Sequence, residues 1–191
     1  MRIGIAGAGG IGSNVACLLV RSGLRFFKIV DFDRVEASNL NRQFYFTDQV
    51  GRTKVSALAE NLKRIDPAVV VEALVMRLDA HNLAETFSDV DVVVEGFDGA
   101  ENKKILLECF AGSNKIVVAA SGVAGLEVDT ITHRRLGNCH IVGDFNTPAG
   151  DDNLFAPKVM MVACTMSQIV LKHARRYLNL CCPTEPAEHC P

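Results

Sequence analysis

The run Gly7-Ala8-Gly9-Gly10-Ile11-Gly12 constrains this chain most, because it sits between an apolar stretch, Ile3 to Ala6, and a helical pattern reaching about Arg21. Glycines at a strand-to-helix turn let the backbone bend tightly and approach a phosphate, and the helix start offers free N–H groups to an anion. A glycine pattern alone is weak, but in this strand-loop-helix setting it reads as a dinucleotide fingerprint. Phe26 to Val30 supplies a second strand. Asp31 ends it, about 20 residues beyond the last glycine, where a carboxylate accepts hydrogen bonds from ribose hydroxyls. The competing reading is a tight turn that holds no ligand.

The alternation continues along the chain. Val55, Leu58, Leu62 and Ile65 recur at helical spacing, and Val69 to Val75 reads as a β-branched strand. A helical stretch, His81 to Phe87, precedes a strand from Val90 to Val94, and a helix from Glu101 to Phe110 precedes a strand from Ile116 to Ala120. Strands alternating with helices imply an α/β fold, and right-handed crossovers make it a Rossmann-like, doubly wound, mainly parallel sheet with helices on both faces. Leu126 to Thr132 and Cys139 to Val142 are expected to form a small antiparallel extension near the C-terminus. Phe145 to Leu154 reads as a surface loop and Pro157 to Leu178 as a long helix with proline in its first turn. Residues 1–180 are thus expected to form one domain, with 181–191 an irregular tail.

Composition excludes several classes. Twenty basic against 22 acidic residues leave a net charge of −2, so nothing favours nucleic acid or an anionic membrane as a partner. No apolar run approaches the roughly 20 residues of a membrane span. The start reads as a strand and not as a secretory signal, so the seven cysteines suggest free thiols in a reducing, cytoplasmic setting.

The segment from Asp31 to Gln43, beyond a strand's carboxyl end, packs together acids, amides and guanidinium groups where open α/β sheets bind ligands. Lys54 opens the next helix, and Asp98 follows the fourth strand at the same edge. Arg42 and Lys54 suit a triphosphate, and Asp98 suits a hard cation such as Mg²⁺. Each basic residue taken singly would be an ordinary solvated charge. Together on one sheet edge they are better explained by phosphate handling.

Here the chain resembles the ThiF/MoeB adenylyltransferases, relatives of ubiquitin-activating enzymes. The resemblance rests on Gly7 to Ser13, Asp31-Phe32-Asp33, Ser38-Asn39-Leu40-Asn41-Arg42-Gln43, Gly51-Arg52-Thr53-Lys54 and Asp98. Val142-Gly143-Asp144-Phe145 and Phe155-Ala156-Pro157-Lys158-Val159 look like the short ThiF-type proteins of thiamine thiazole biosynthesis. The resemblance implies MgATP-dependent adenylation of the C-terminal glycine carboxylate of a small ubiquitin-like sulfur carrier ending in Gly-Gly. It implies a nucleotide site built from Gly7, Gly9, Gly10, Gly12, Asp31, Ser38, Asn39, Arg42, Lys54 and Asp98. Arg42, Lys54 and Asp98 would carry the catalysis, with Asp98 on the metal. Relatives also form homodimers. Longer relatives hold zinc with two Cys-x-x-Cys pairs, which this chain lacks, so no structural zinc is expected. Asp98-Gly99 stands where many relatives have Asp-Asn, and Lys103 where arginine is common. The sequence begins at its first strand, without the helical arm from which longer relatives supply an arginine to the phosphates.

Three readings compete with thiazole synthesis. One is MoeB-like activation of a molybdopterin-pathway carrier; another is a nicotinamide-dependent oxidoreductase on the same fold. The third is a carrier-binding scaffold without turnover. Cys17, Cys109 and Cys164 are expected in the core, and Cys181, Cys182, His189 and Cys190 read as incidental groups of an irregular end in preference to a metal or redox cluster, since they show no recognised ligand spacing. His133 and His140 receive no role. The apolar set Val159, Val162, Ile169 and Val170 belongs either to the core or to a dimer interface.

Overall fold

A computed structural model of the protein describes residues 1–147 and 154–175. The strands β1 (Ile3–Ala6), β2 (Phe26–Val30), β3 (Val70–Leu74), β4 (Val92–Glu95), β5 (Ile116–Ala120), β6 (Thr132–Leu136) and β7 (Cys139–Gly143) form one sheet ordered β3-β2-β1-β4-β5-β7-β6. All neighbours run parallel except the β6–β7 hairpin, so the expected antiparallel extension is present. The order reverses direction beside β1, with β2 on one side and β4 on the other. This switch point is where open α/β sheets place their ligands.

The helices are α1 (Gly10–Arg21), α2 (Lys54–Ile65), α3 (Leu83–Thr86), α4 (Ala100–Phe110) and α5 (Ala156–Ala174). Side chains alternate across a strand, so each strand feeds two cores. Ile3, Ile5, Val92 and Val94 pack with α1, α2 and α5, and Ala6, Val30, Val93 and Val117 pack with α3 and α4. Helices therefore cover both faces. At Gly4 a Cβ would run into the Phe87 ring, so the smallest residue lets that ring lie against β1.

Two expectations are corrected. Leu126 to Ile131 is not a strand, and β6 begins only at Thr132. Every residue of β6 is exposed, as suits a polar edge strand, whereas the sequence pattern favoured the more apolar segment before it. Cys164 is exposed, because the buried stripe of α5 runs through Val159, Val162, Ala163, Met166 and Val170 and leaves Met160, Met161 and Cys164 outside. Val159, Val162, Ile169 and Val170 are core residues, and α5 packs against α1. Cys17 is buried and Cys109 half-buried. The tail residues Cys181, Cys182, His189 and Cys190, and the far end of the expected helix to Leu178, lie outside the described residues. Among the described residues, no helix is long and apolar enough to cross a membrane.

Candidate nucleotide site

Local sequence shapes the glycine loop first. Gly7 has φ +95°, a region that strains residues with a Cβ, and a Cβ on Gly12 would collide with the Gly7 carbonyl. The loop is held from both sides at Ala8. Its N–H donates to Asp31 Oδ2 at 2.6 Å, and its carbonyl accepts from the buried Tyr45 hydroxyl at 2.7 Å. Asp31 Oδ1 accepts from the Asp33 N–H at 2.7 Å. Burial raises the Asp31 carboxyl above its usual range, against the lowering effect of those N–H groups and of Lys54.

The chain from Asp33 to Thr53 is a closed excursion that returns beside its start. Arg34 bridges Thr53, and the Lys54 N–H donates to the Asp33 carbonyl. Lys54, almost fully buried, reaches Asp33 Oδ2 at 3.0 Å. In the middle of the excursion, Asn39 Oδ1 accepts from the Glu36 N–H, and its carbonyl accepts from the N–H groups of Arg42 and Gln43. Asn14 of α1 donates to the Arg42 carbonyl at 2.8 Å, and Ser13 Oγ accepts from the Phe44 N–H at 3.0 Å. The Arg42 backbone is thus locked to α1 while its guanidinium lies at the surface, donating to the Ser38 carbonyl and to Asn41.

Two neighbouring cavities open at this sheet edge. One, of about 150 Å³, takes Gly7, Gly9, Asp31, Lys54 and Asp98 into its wall. Phe32, Met76 and Phe97 add apolar surface to its wall, and Asp33, Arg77 and Asn102 add polar groups. The second, of about 290 Å³, is bounded by Gly10, Arg42, Lys103, Thr147 and the segment 121–124. Gly96, Phe97 and Asp98 line both. Asp98 is exposed at the junction, with Oδ1 3.9 Å from where a Gly9 Cβ would stand. An exposed carboxylate beside a glycine loop suits Mg²⁺, which takes one or two carboxylates and fills its shell with phosphate oxygens and water.

Of the expected site residues, Gly7, Gly9, Asp31, Lys54 and Asp98 line the first cavity, and Gly10, Arg42 and Asp98 the second. Ser38, Asn39 and Gly12 line neither. Gly12 sets the loop's close approach, and Asn39 and the Ser38 carbonyl shape the excursion carrying Arg42. Sequence reasoning missed Tyr45, because within Phe44-Tyr45-Phe46 nothing distinguishes the ring whose hydroxyl reaches the glycine loop. It also missed Glu95, which is fully buried and accepts from Lys103 at 3.0 Å and from the Phe97 N–H at 2.6 Å. Burial raises the Glu95 carboxyl against the pull of Lys103. The pair fixes the turn that delivers Asp98. Among the described residues, no group of three or more His, Cys, Asp or Glu is arranged to hold a metal ion.

Comparison with known proteins agrees with this architecture. The sulfur carrier protein adenylyltransferase of Thermus thermophilus is 40% identical over 95 residues, 49% of this chain and 35% of that protein. Ubiquitin-like modifier-activating enzyme 5 of Arabidopsis thaliana is 41% identical over 86 residues, 45% of this chain and 20% of that protein. The adenylyltransferase and sulfurtransferase UBA4 of Yarrowia lipolytica is 28% identical over 178 residues, 90% of this chain and 45% of that protein. The chain thus spans less than half the length of each of these relatives. The tRNA N6-threonylcarbamoyladenosine dehydratase TcdA of E. coli, solved in complex with ATP, shares the fold with a TM-score of 0.78 at 21% identity. That match covers 93% of this chain and 85% of the TcdA chain. The model of the ThiF family matches residues 1–186, nearly the whole length, and the chain belongs to the ThiF family.

Proposed function

We propose that the protein binds ATP across the switch point and transfers AMP to the C-terminal glycine carboxylate of a small ubiquitin-like sulfur carrier ending in Gly-Gly. The observation that carries this reading is Asp98, exposed where the cavity of Asp31 meets the cavity of Arg42. A nucleotide in the first cavity would direct its phosphates toward that junction, and a peptide carboxylate would reach it through the second. The names of the Thermus and Yarrowia relatives support the same reaction class.

In this reaction a carboxylate oxygen attacks the α-phosphorus, the bond from phosphorus to the bridging oxygen of pyrophosphate breaks, and an acyl adenylate forms. No proton transfer is required, so positioning and charge neutralisation supply the catalysis. Asp31 would take the ribose hydroxyls on the lone pairs its two N–H donors leave open. Arg42 is suited to grip phosphate oxygens with two parallel N–H groups, and Lys54 acts as a point charge held near Asp33. Asp98 would hold Mg²⁺, which when bound neutralises charge on the departing pyrophosphate. The resemblance of 142–145 and 155–159 to short ThiF-type proteins supports thiamine thiazole synthesis as the pathway. By the same reading the protein works in the cytoplasm as a homodimer.

Nucleotide preference tests this. A ligand selective for the folded state raises its melting temperature, so MgATP should do so and NAD should not. Stabilisation by NAD without stabilisation by MgATP would overturn the adenylation reading in favour of nicotinamide chemistry.

A further inference from the structure

Behind the second cavity lies a buried ion pair that the proposed chemistry does not use. Lys158 and Asp144 are both almost fully buried, with Lys158 Nζ 2.6 Å from Asp144 Oδ2. Such a pair costs desolvation and is weak evidence for stability, so its other contacts are informative. Lys158 Nζ also donates to the Ala124 carbonyl at 2.5 Å. Asp144 Oδ1 accepts from the N–H groups of Asn146 and Thr147 at 2.8 and 2.9 Å, and its own N–H donates to the Gly122 carbonyl. The Thr147 hydroxyl bonds both Asp144 and the Ala124 carbonyl. Apart from the Asn146 N–H, the partners of the pair lie in the segment 121–124 or at Thr147, and these residues line the second cavity.

The fit is close at this point. A Cβ on Gly122 would collide with the Asp144 carboxylate, and Phe145 holds φ +61°, a left-handed backbone that costs a non-glycine residue energy. Strain at Phe145 is tolerated where surrounding contacts over-determine the backbone, and here the Asp144 contacts do so. The N–H groups of Gly122, Val123 and Ala124 have no hydrogen-bond partner among the described residues. A short non-helical segment whose N–H groups are unpaired among the described residues, beside a cavity, is a surface on which an extended peptide can pair its main chain.

We propose that Lys158, held by Asp144, is a positioning residue for the substrate's peptide tail. It fixes the Ala124 carbonyl, and through it the wall 121–124 against which an extended, small-residue C-terminus lies. This inference rests on the adenylation reading and adds the wall that grips the tail. It predicts that the pair governs carrier affinity while leaving the nucleotide alone, since neither residue lines the cavity of Asp31.

The test uses the full chain and a ThiS-like carrier ending in Gly-Gly, followed by pyrophosphate exchange. The double variant Asp144→Leu with Lys158→Met replaces the buried charges with apolar groups, a change that buried pairs often tolerate in stability. It should raise the carrier KM about tenfold, the order expected for one lost interaction. MgATP affinity should stay within about twofold. A carrier KM unchanged in the folded double variant would overturn the proposal, as would parallel losses of MgATP and carrier affinity. If the double variant does not fold, Thr147→Val removes the hydroxyl that ties Asp144 to the Ala124 side of the wall, without stranding a charge. It should again raise carrier KM alone, and an unchanged KM would overturn the proposal. Absence of exchange in the wild-type protein would instead refute the adenylation reading on which the inference depends.

Discussion

Tyr45→Phe removes one oxygen atom and tests whether the glycine loop is held from outside its own motif. The hydroxyl is buried and donates to the Ala8 carbonyl at 2.7 Å, while the Ala8 N–H is already committed to Asp31. Burial pushes the phenol well above its ordinary range, so it remains a neutral donor at every pH used for assay. Deleting it forfeits a hydrogen bond worth about 1 kcal/mol net and strands a buried acceptor, for a total cost of about 1–3 kcal/mol. For a domain of this size each kcal/mol lowers Tm by roughly 2–4 °C, so a fall of about 4–8 °C is the central expectation for a 2 kcal/mol loss. Calorimetry measures the fall, and urea unfolding checks it through a lower midpoint at unchanged slope. A Tm within about 1 °C of wild type would refute the reasoning. The Ala8 carbonyl would then be satisfied by something other than Tyr45.

Arg42→Ala and Asp98→Ala should each lower pyrophosphate exchange by about 10²–10³-fold while leaving Tm near wild type, since both side chains reach the surface at the cavity junction. Near-wild-type exchange in either variant would remove that residue from the mechanism. His140 is buried against His133, with His133 Nε2 and His140 Nδ1 3.0 Å apart, and it also faces His173 and Arg135. Burial first, then those neighbours, holds it at about 4, below its ordinary value of 6.5. The unfolded chain therefore takes up a proton that the folded one refuses, and stability falls as pH drops from about 6.5 towards about 4, by up to about 3 kcal/mol. Urea midpoints at pH 7 and 4.5 should differ less for His140→Phe than for wild type, and equal differences would contradict this. Truncation after Leu180 should preserve exchange, because every proposed nucleotide contact precedes it; loss of exchange in a folded truncated protein would assign the tail to the active site.

Most of the sheet was legible because buried parallel strands are short apolar runs, and β1, β2 and β5 stand where those runs fall. The exposed edge strand β6 was not, since Thr132-His133-Arg134-Arg135-Leu136 has no apolar alternation and its pairing is set by β7. Cys164 was misjudged because an apolar helix packed on one side still has an outer face. At the site, local motifs pointed to residues 7–54 and to Asp98, whose spacing is short or whose place follows a strand. They did not separate groups that line a cavity from groups that shape a loop. Asn39 and Ser38 belong to the second kind, and only tertiary contacts reveal it. The Asp144–Lys158 pair joins residues 14 apart across a loop, a contact no periodicity announces.

The most direct test of the central claim is carrier-dependent exchange of labelled pyrophosphate into ATP by the purified full chain. The account predicts exchange that requires both Mg²⁺ and a ubiquitin-like carrier ending in Gly-Gly, and that disappears when the terminal glycine is removed. Exchange that proceeds equally without a carrier, or no exchange with thiazole-pathway and molybdopterin-pathway carriers alike despite tight MgATP binding, would contradict it.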